Sequence, residues 1–441
     1  MTHFIRQHAA VWLFVVLCSM GALSSVWRVH DWGNQLSEVD AYSEANALRE
    51  VRNFLEQGPT RYAGLGQVYH LGMYPADGFA REPDIARYSV TRDGVYTHYP
   101  PGPEYLLYAA AKLLGPEPVS RLRLLPITIG WAATLFLGFA VRRRFGAAVG
   151  WMVMSVCILT PTVTDGFVGL HYQGYAFALL LCEIGIAIGT NARVAPFGVL
   201  GFLQGWLSFD YVFLVTFVPL ALELMMPRID LGCQSRWPLA LTRVVLAGAG
   251  FAGAHALHFL QVWAYWGSLQ AALRDFGGAA AHRAGAAMIG GPLDYLLLTL
   301  SSLKLYFYGL HPLNFALSLP DPGVPENWSM FRFLGLSLGP WWLLITLGLI
   351  LWDEFNTKSA DRSPRLDWHF VCVTGVLTSS AWLLAMPDHA AHHRHFLYRH
   401  LFFAFFVAVL FGAATIRRYW AETTMPERRP HRHIGILSTH R

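Results

Sequence analysis

Charge is scarce in this chain: Asp, Glu, Lys and Arg make up 14% of 441 residues, where a soluble domain carries about 25%. So few charges cannot clothe a water-facing surface, and a soluble enzyme or carrier is excluded. Cysteine is sparse as well, five in all. The five lie in apolar runs or in connectors expected on the cytoplasmic side, so the disulfide framework of a small secreted domain is not encoded. Internal repeats and low-complexity segments are missing, and the composition rules out disordered and collagen-like classes. What is abundant is apolar: 54% hydrophobic and 14% aromatic residues, with a mean hydropathy of +0.36.

These apolar residues fall into long runs separated by short charged stretches, the pattern of an all-α polytopic membrane protein. Ten spans are expected near 8–27, 122–141, 147–164, 173–190, 196–209, 211–226, 244–264, 331–351, 367–386 and 399–416. The fifth and sixth are short. Alternate connectors carry Arg6, Arg142 to Arg144, Arg193, Arg228, Arg236, Arg243, Lys358, Arg362, Arg365, Arg417 and Arg418. The charge rule puts these on the cytoplasmic side, together with both termini. The net charge of +5 is explained by that rule and implies no nucleic acid. The run Tyr295 to Leu310 holds Lys304 and is expected as an interfacial or re-entrant helix.

The expected organisation is an anchor span at 1–27, a first extracytoplasmic loop at 28–121, spans two to seven across 122–264, a second outer loop at 265–330, spans eight to ten across 331–416 and a cytoplasmic tail at 417–441. The first loop has helical spacing from Asp40 to Gln57, with Ala41, Ala45, Leu48, Val51, Phe54 and Leu55 on one side and Arg49, Glu50 and Arg52 elsewhere. Gly58-Pro59 stops it. A second helix is expected from Pro103 to Leu114, ended by Gly115-Pro116. Both read as amphipathic helices on the membrane surface.

Several polar residues fall at the outer ends of the spans. Asp40 stands at the start of the first surface helix, where it suits an N-cap and also a fixed general base or metal ligand. His98 and Tyr99 precede Pro100-Pro101, a rigid lead-in that would place them over a site. Asp165 and His171 flank the short connector after the third span; His171, like His98 and Tyr99, is expected as a substrate contact, and Asp40 with Asp165 could share a divalent cation such as Mg²⁺ or Mn²⁺. Asp210 with Tyr211 lies at the same depth. His255, His258 and Glu183 are ionisable residues inside spans. The densest cluster runs from Asp388 to His400 and includes His389, His392, His393, Arg394 and Arg399. Its imidazoles allow a metal site, while its arginines suit a phosphate. Positive charge on the outer side runs against the charge rule, and a lipid phosphate is the reason assigned to it.

An acidic residue soon after the first span, a loop with two surface helices, Tyr99-Pro100-Pro101 before Glu104-Tyr105-Leu106-Leu107, the stretch Arg121-Leu122-Arg123-Leu124 and the close Arg142-Arg143-Arg144-Phe145-Gly146 together resemble the GT-C membrane glycosyltransferases. The branch is that of bacterial protein O-mannosyltransferases and lipid A aminoarabinose transferases. The likeness covers roughly the first 226 residues, and Asp40-Ala41 stands where many relatives have Asp-Glu. It implies a multi-pass bacterial inner-membrane enzyme that transfers a sugar from a polyprenyl-phosphate donor to a lipid, glycan or protein acceptor outside the membrane, with inversion. Asp40 would be the base and Arg399 would hold the donor phosphate. A surface polysaccharide ligase or polymerase, and more distantly a transporter, are the rival readings. The transporter would call for repeated halves, which this sequence lacks.

Overall fold

The computed structural model describes residues 41–68, 91, 93–159, 167–189, 193–230, 235–283, 364–386 and 394–424, with further positions between 12 and 26 and between 291 and 300. The expected span at 331–351, the candidates Asp40, Asp165 and His393 and most of the second outer loop lie outside the described residues. Apart from isolated bridge residues, among them the pair Gln67 and Val95, the regular structure among the described residues is helical. The protein is a helical membrane protein.

Twelve helices are described: α1 (Ala41–Gln57), α2 (Gly102–Leu114), α3 (Val119–Leu122), α4 (Leu124–Phe145), α5 (Ala147–Leu159), α6 (Tyr172–Gly189), α7 (Ala195–Leu207), α8 (Val212–Ile229), α9 (Trp237–Trp266), α10 (Leu269–Arg283), α11 (Pro364–Ala385) and α12 (Arg394–Thr424). Among the described residues five stretches are long and apolar enough to cross a membrane: Val119–Phe145, Tyr172–Gly189, Val212–Ile229, Trp237–Trp266 and Trp368–Ala385. Helix α7 has 13 residues, about 20 Å of rise, against a hydrocarbon core of about 30 Å. Its partner α9 has 30 residues and is about 45 Å long.

Helix α4 packs on α5 and α6, α7 on α9, α8 on α9 and α11, and α12 on α11 and α5. In lipid the apolar effect gives helices little reason to associate, so close backbone contact has to hold them. The α7/α9 pair shows how. A Cβ on Gly201 would fall on the Ala247 carbonyl, and one on Gly250 would fall on the Gly198 carbonyl. Only hydrogen at these two positions lets the helix backbones touch.

The ends of the bundle differ in chemistry. One gathers arginines: Arg144 lies 3.4 Å from Asp230 and donates to the Ile188 carbonyl, Arg417 donates to the Phe145 carbonyl, and the Arg228 guanidinium stands 3.6 Å above the Phe370 ring. The opposite end is capped by α1 and α2. Ala47 and Val51 of α1 and Leu107, Ala110 and Ala111 of α2 bury themselves with Leu122, Leu170, Tyr175 and Leu207. The two amphipathic helices are therefore packed as a pair onto the heads of α4 and α6 and the C-terminal end of α7.

Glu50 departs from its expected place. Periodicity sets it apart from the apolar side with Arg49 and Arg52, yet it is 5% exposed. The turn at 64–67 folds over it, and a Cβ on Gly66 would overlap its carboxyl group.

Candidate active site

Three polar clusters stand at the end opposite the arginines. The first centres on Asp210, in the turn between α7 and α8. Its backbone N–H donates to the Ser208 hydroxyl at 3.1 Å, which fixes the turn. The carboxylate is 2% exposed and accepts from Tyr172 at 2.8 Å, Gln173 at 3.0 Å and Tyr99 at 3.3 Å. Three donors on a buried carboxylate satisfy most of its acceptor capacity without water. The rings above it are stacked, Tyr99 on Tyr172 at 5.2 Å and Tyr96 on Tyr99 at 6.0 Å. His98 lies beside Tyr96 at 5.7 Å. Two of the residues expected in a wall, His98 and Tyr99, therefore form one aromatic group with Tyr96 and Tyr172.

The second cluster joins α1, the head of α4 and the loop at 167–171. Arg123 and Glu44 are both fully buried and meet in a two-pronged pair, with Nη1 to Oε1 and Nη2 to Oε2 each 2.8 Å. Arg123 also donates to the Val168 carbonyl at 2.9 Å, and the Leu170 N–H donates to Glu44 at 2.9 Å. Burial by itself would raise the Glu44 carboxyl, but the hydrogen bonds and charge of Arg123 hold it below the ordinary value, helped by His171 and the Leu170 amide. His171, expected as a substrate contact, is 3% exposed, and its Nδ1 accepts from the Gln173 N–H at 3.3 Å.

The third cluster ties the segment before Pro100 to α9 and α10. His258 Nε2 bonds the Thr97 carbonyl at 2.9 Å, and the Thr97 hydroxyl donates to Asp275 at 3.1 Å. Trp266 donates to the other oxygen of Asp275 at 2.6 Å. Burial pushes the Asp275 carboxyl up to about 6 in spite of both donors.

The head of α12 reaches the same end. His400 stacks on Tyr211 at 4.9 Å and on Trp382 at 6.3 Å, so the turn of α12 that carries Arg394 and Arg399 starts beside the Asp210 turn. For these two arginines the helix backbone alone is described. Asp40 directly precedes Ala41, the first residue of α1, and Asp165 stands two residues before the described loop.

Among the described residues no group of three His, Cys, Asp or Glu could hold a metal ion. The two buried carboxylates nearest the site are already engaged, Asp210 by three neutral donors and Glu44 by Arg123 and an amide. Sequence reasoning passed over Glu44, Thr97 and Asp275. Only Glu44 had a local signal, one helical turn after Asp40 on the same predicted helix.

No family model and no curated protein matches this chain. Solved structures to which the chain is similar include the oligosaccharyltransferase of Archaeoglobus fulgidus in its apo form, at 14% identity and a TM-score of 0.45, covering 93% of this chain and 52% of that one. The same enzyme with an inhibitory peptide and a dolichol-phosphate aligns at 14% identity and a TM-score of 0.44, over 95% and 52% of the two chains. ArnT from Cupriavidus metallidurans bound to undecaprenyl phosphate aligns at 12% identity and a TM-score of 0.32, over 94% and 79%. The chain thus spans about half the length of the oligosaccharyltransferase. Each of these likenesses is distant, at no more than 14% identity and a TM-score of 0.45.

Proposed function

We propose that this protein is an inverting glycosyltransferase that moves a sugar from a polyprenyl-phosphate donor to a lipid, glycan or protein acceptor on the extracytoplasmic side of a bacterial plasma membrane. The observation that carries the reading is the convergence of Tyr99, His171, Tyr172, Asp210 and the head of α12 at one end of an otherwise apolar bundle. The arginine-rich opposite end belongs in the cytoplasm by the charge rule, with both termini, so the polar end faces outward.

In this reading Asp40, at the head of α1, removes the proton from the acceptor hydroxyl. The acceptor oxygen attacks the anomeric carbon as its bond to the phosphate oxygen breaks on the opposite face, which inverts the configuration. The departing lipid phosphate gathers negative charge, and Arg394, Arg399 and His393 stabilise it. His98, Tyr99 and His171 orient the sugar and keep out water that would hydrolyse the donor. Asp40 and Asp165 would hold an Mg²⁺ or Mn²⁺ ion, whose charge would help offset that of the lipid phosphate.

Undecaprenyl phosphate itself is the probe that tests the donor site. Native mass spectrometry of the protein in nanodiscs should show bound lipid, and Arg394→Ala with Arg399→Ala should weaken it by about 10-fold or more, the scale of a lost charged hydrogen bond. Equal retention by the double variant would place the lipid phosphate elsewhere. Chelation should abolish transfer, and Mg²⁺ or Mn²⁺ should restore it. Full activity after exhaustive chelation would remove the ion.

A further inference from the structure

The Glu44–Arg123 pair has no part in the chemistry proposed above, and its cost calls for an explanation. Two charges with zero exposure gain little stability over apolar side chains of the same volume, because desolvation consumes most of the Coulombic attraction. An apolar pair would fill the same space. It could not, however, bond backbone groups, and here each partner bonds one: Arg123 takes the Val168 carbonyl and Glu44 takes the Leu170 amide. Four charge-assisted contacts of 2.8 to 2.9 Å thus lock one loop to two helices.

That loop leads straight into the site. Leu170 is followed by His171, then by Tyr172 and Gln173, whose side chains grip Asp210 at 2.8 and 3.0 Å. Tyr172 in turn stacks on Tyr99. His171 lies against the knot: a Cβ on Gly169 would stand 2.9 Å from His171 Nε2 and 3.6 Å from Glu44 Oε1. Movement of the loop would shift all three side chains together, and the Asp210 grip would open. Glu44 also belongs to the first turn of α1, so the same knot anchors the helix that begins directly after Asp40.

We infer that Glu44 and Arg123 are positioning residues: their ion pair holds the 167–171 loop so that His171, Tyr172 and Gln173 stand in register with Asp210. The inference rests on the glycosyltransferase reading for its effect on rate, but not for its effect on the loop.

The test replaces the pair by Glu44→Met with Arg123→Met and reads three quantities on the protein in nanodiscs: thermal unfolding, amide hydrogen exchange of 167–173, and single-turnover transfer at saturating lipid-linked donor. The expected result is a melting point near that of the wild type, exchange of 167–173 faster by about 10-fold or more, and a transfer rate lower by about 10- to 100-fold, the scale of a small misplacement. Retention of undecaprenyl phosphate should be unchanged, which separates this loss from one of donor binding. Wild-type exchange and rate in the folded double variant would overturn the inference. Should that variant fail to fold, Arg123→Lys decides: it keeps the charge but loses the planar fork, and unchanged exchange at 167–173 together with unchanged rate would overturn the inference equally. If the wild type transfers no sugar from any lipid donor, the functional reading falls, and the exchange arm still decides the clamp.

Discussion

Glu104, at the head of α2, is raised by burial to about 7. Glu50, on α1, is raised by burial and by the nearby charge of Glu104. Tyr105 donates to the Gly64 carbonyl at 2.5 Å beside them, and Phe54 stacks on Tyr105 at 5.4 Å. A carboxyl that titrates higher in the folded state than in the unfolded chain stabilises the fold in its protonated form. Its contribution is complete below the ordinary value of 4.5 and is lost as pH rises through about 7. Asp275 acts with the same sign between 3.8 and about 6. Glu44 acts with the opposite sign, since its lowered value makes it stabilising above the ordinary carboxylate range and weaker in acid. Thermal unfolding followed from pH 5 to pH 8 should therefore show the wild type losing stability toward neutrality, and Glu104→Gln should flatten much of that slope. An unchanged slope in the variant would remove Glu104 as its source.

Helices α1 and α2 were legible because a surface helix has to keep one apolar stripe, and the stripe with its Gly-Pro stops survives in the sequence. The structure places them at Ala41–Gln57 and Gly102–Leu114, within a residue of expectation. Glu50 was misjudged because its cover comes from the 64–67 turn, which leaves no mark on the periodicity of α1. Asp210 was a candidate from its depth alone, while its donors come from positions 99, 172 and 173, which only the packed bundle brings together. The Glu44–Arg123 pair joins residues 79 positions apart, beyond the reach of any local pattern. Helix contact is the element-scale feature open to test. Gly250→Leu would drive a side chain into the Gly198 carbonyl and part α7 from α9. Overpacking of this kind costs about 1 to 3 kcal/mol, and thermal unfolding in nanodiscs should fall accordingly. A variant as stable as the wild type would show that the contact yields.

For the molecule as a whole, the sequence yields an apolar bundle with basic connectors, and the structure sets Arg144, Arg228 and Arg417 at one end and the polar clusters at the other. In the proposed orientation the arginine end faces the cytoplasm, which retains positive charge, and the polar end faces outward. The proposed function then depends on one residue. Asp40 precedes α1, the helix tied down by Glu44, and in the proposed reaction it takes the acceptor proton. The decisive measurement is release of undecaprenyl phosphate, by mass spectrometry, from a panel of undecaprenyl-phosphate-linked sugars incubated with an acceptor extract and the protein in nanodiscs. The wild type should release the lipid phosphate from at least one donor, and folded Asp40→Asn should do so about 100-fold more slowly or worse, since the amide keeps the size and loses the basicity. Release at equal rates by the two proteins, or no release by the wild type from any donor, would contradict the account.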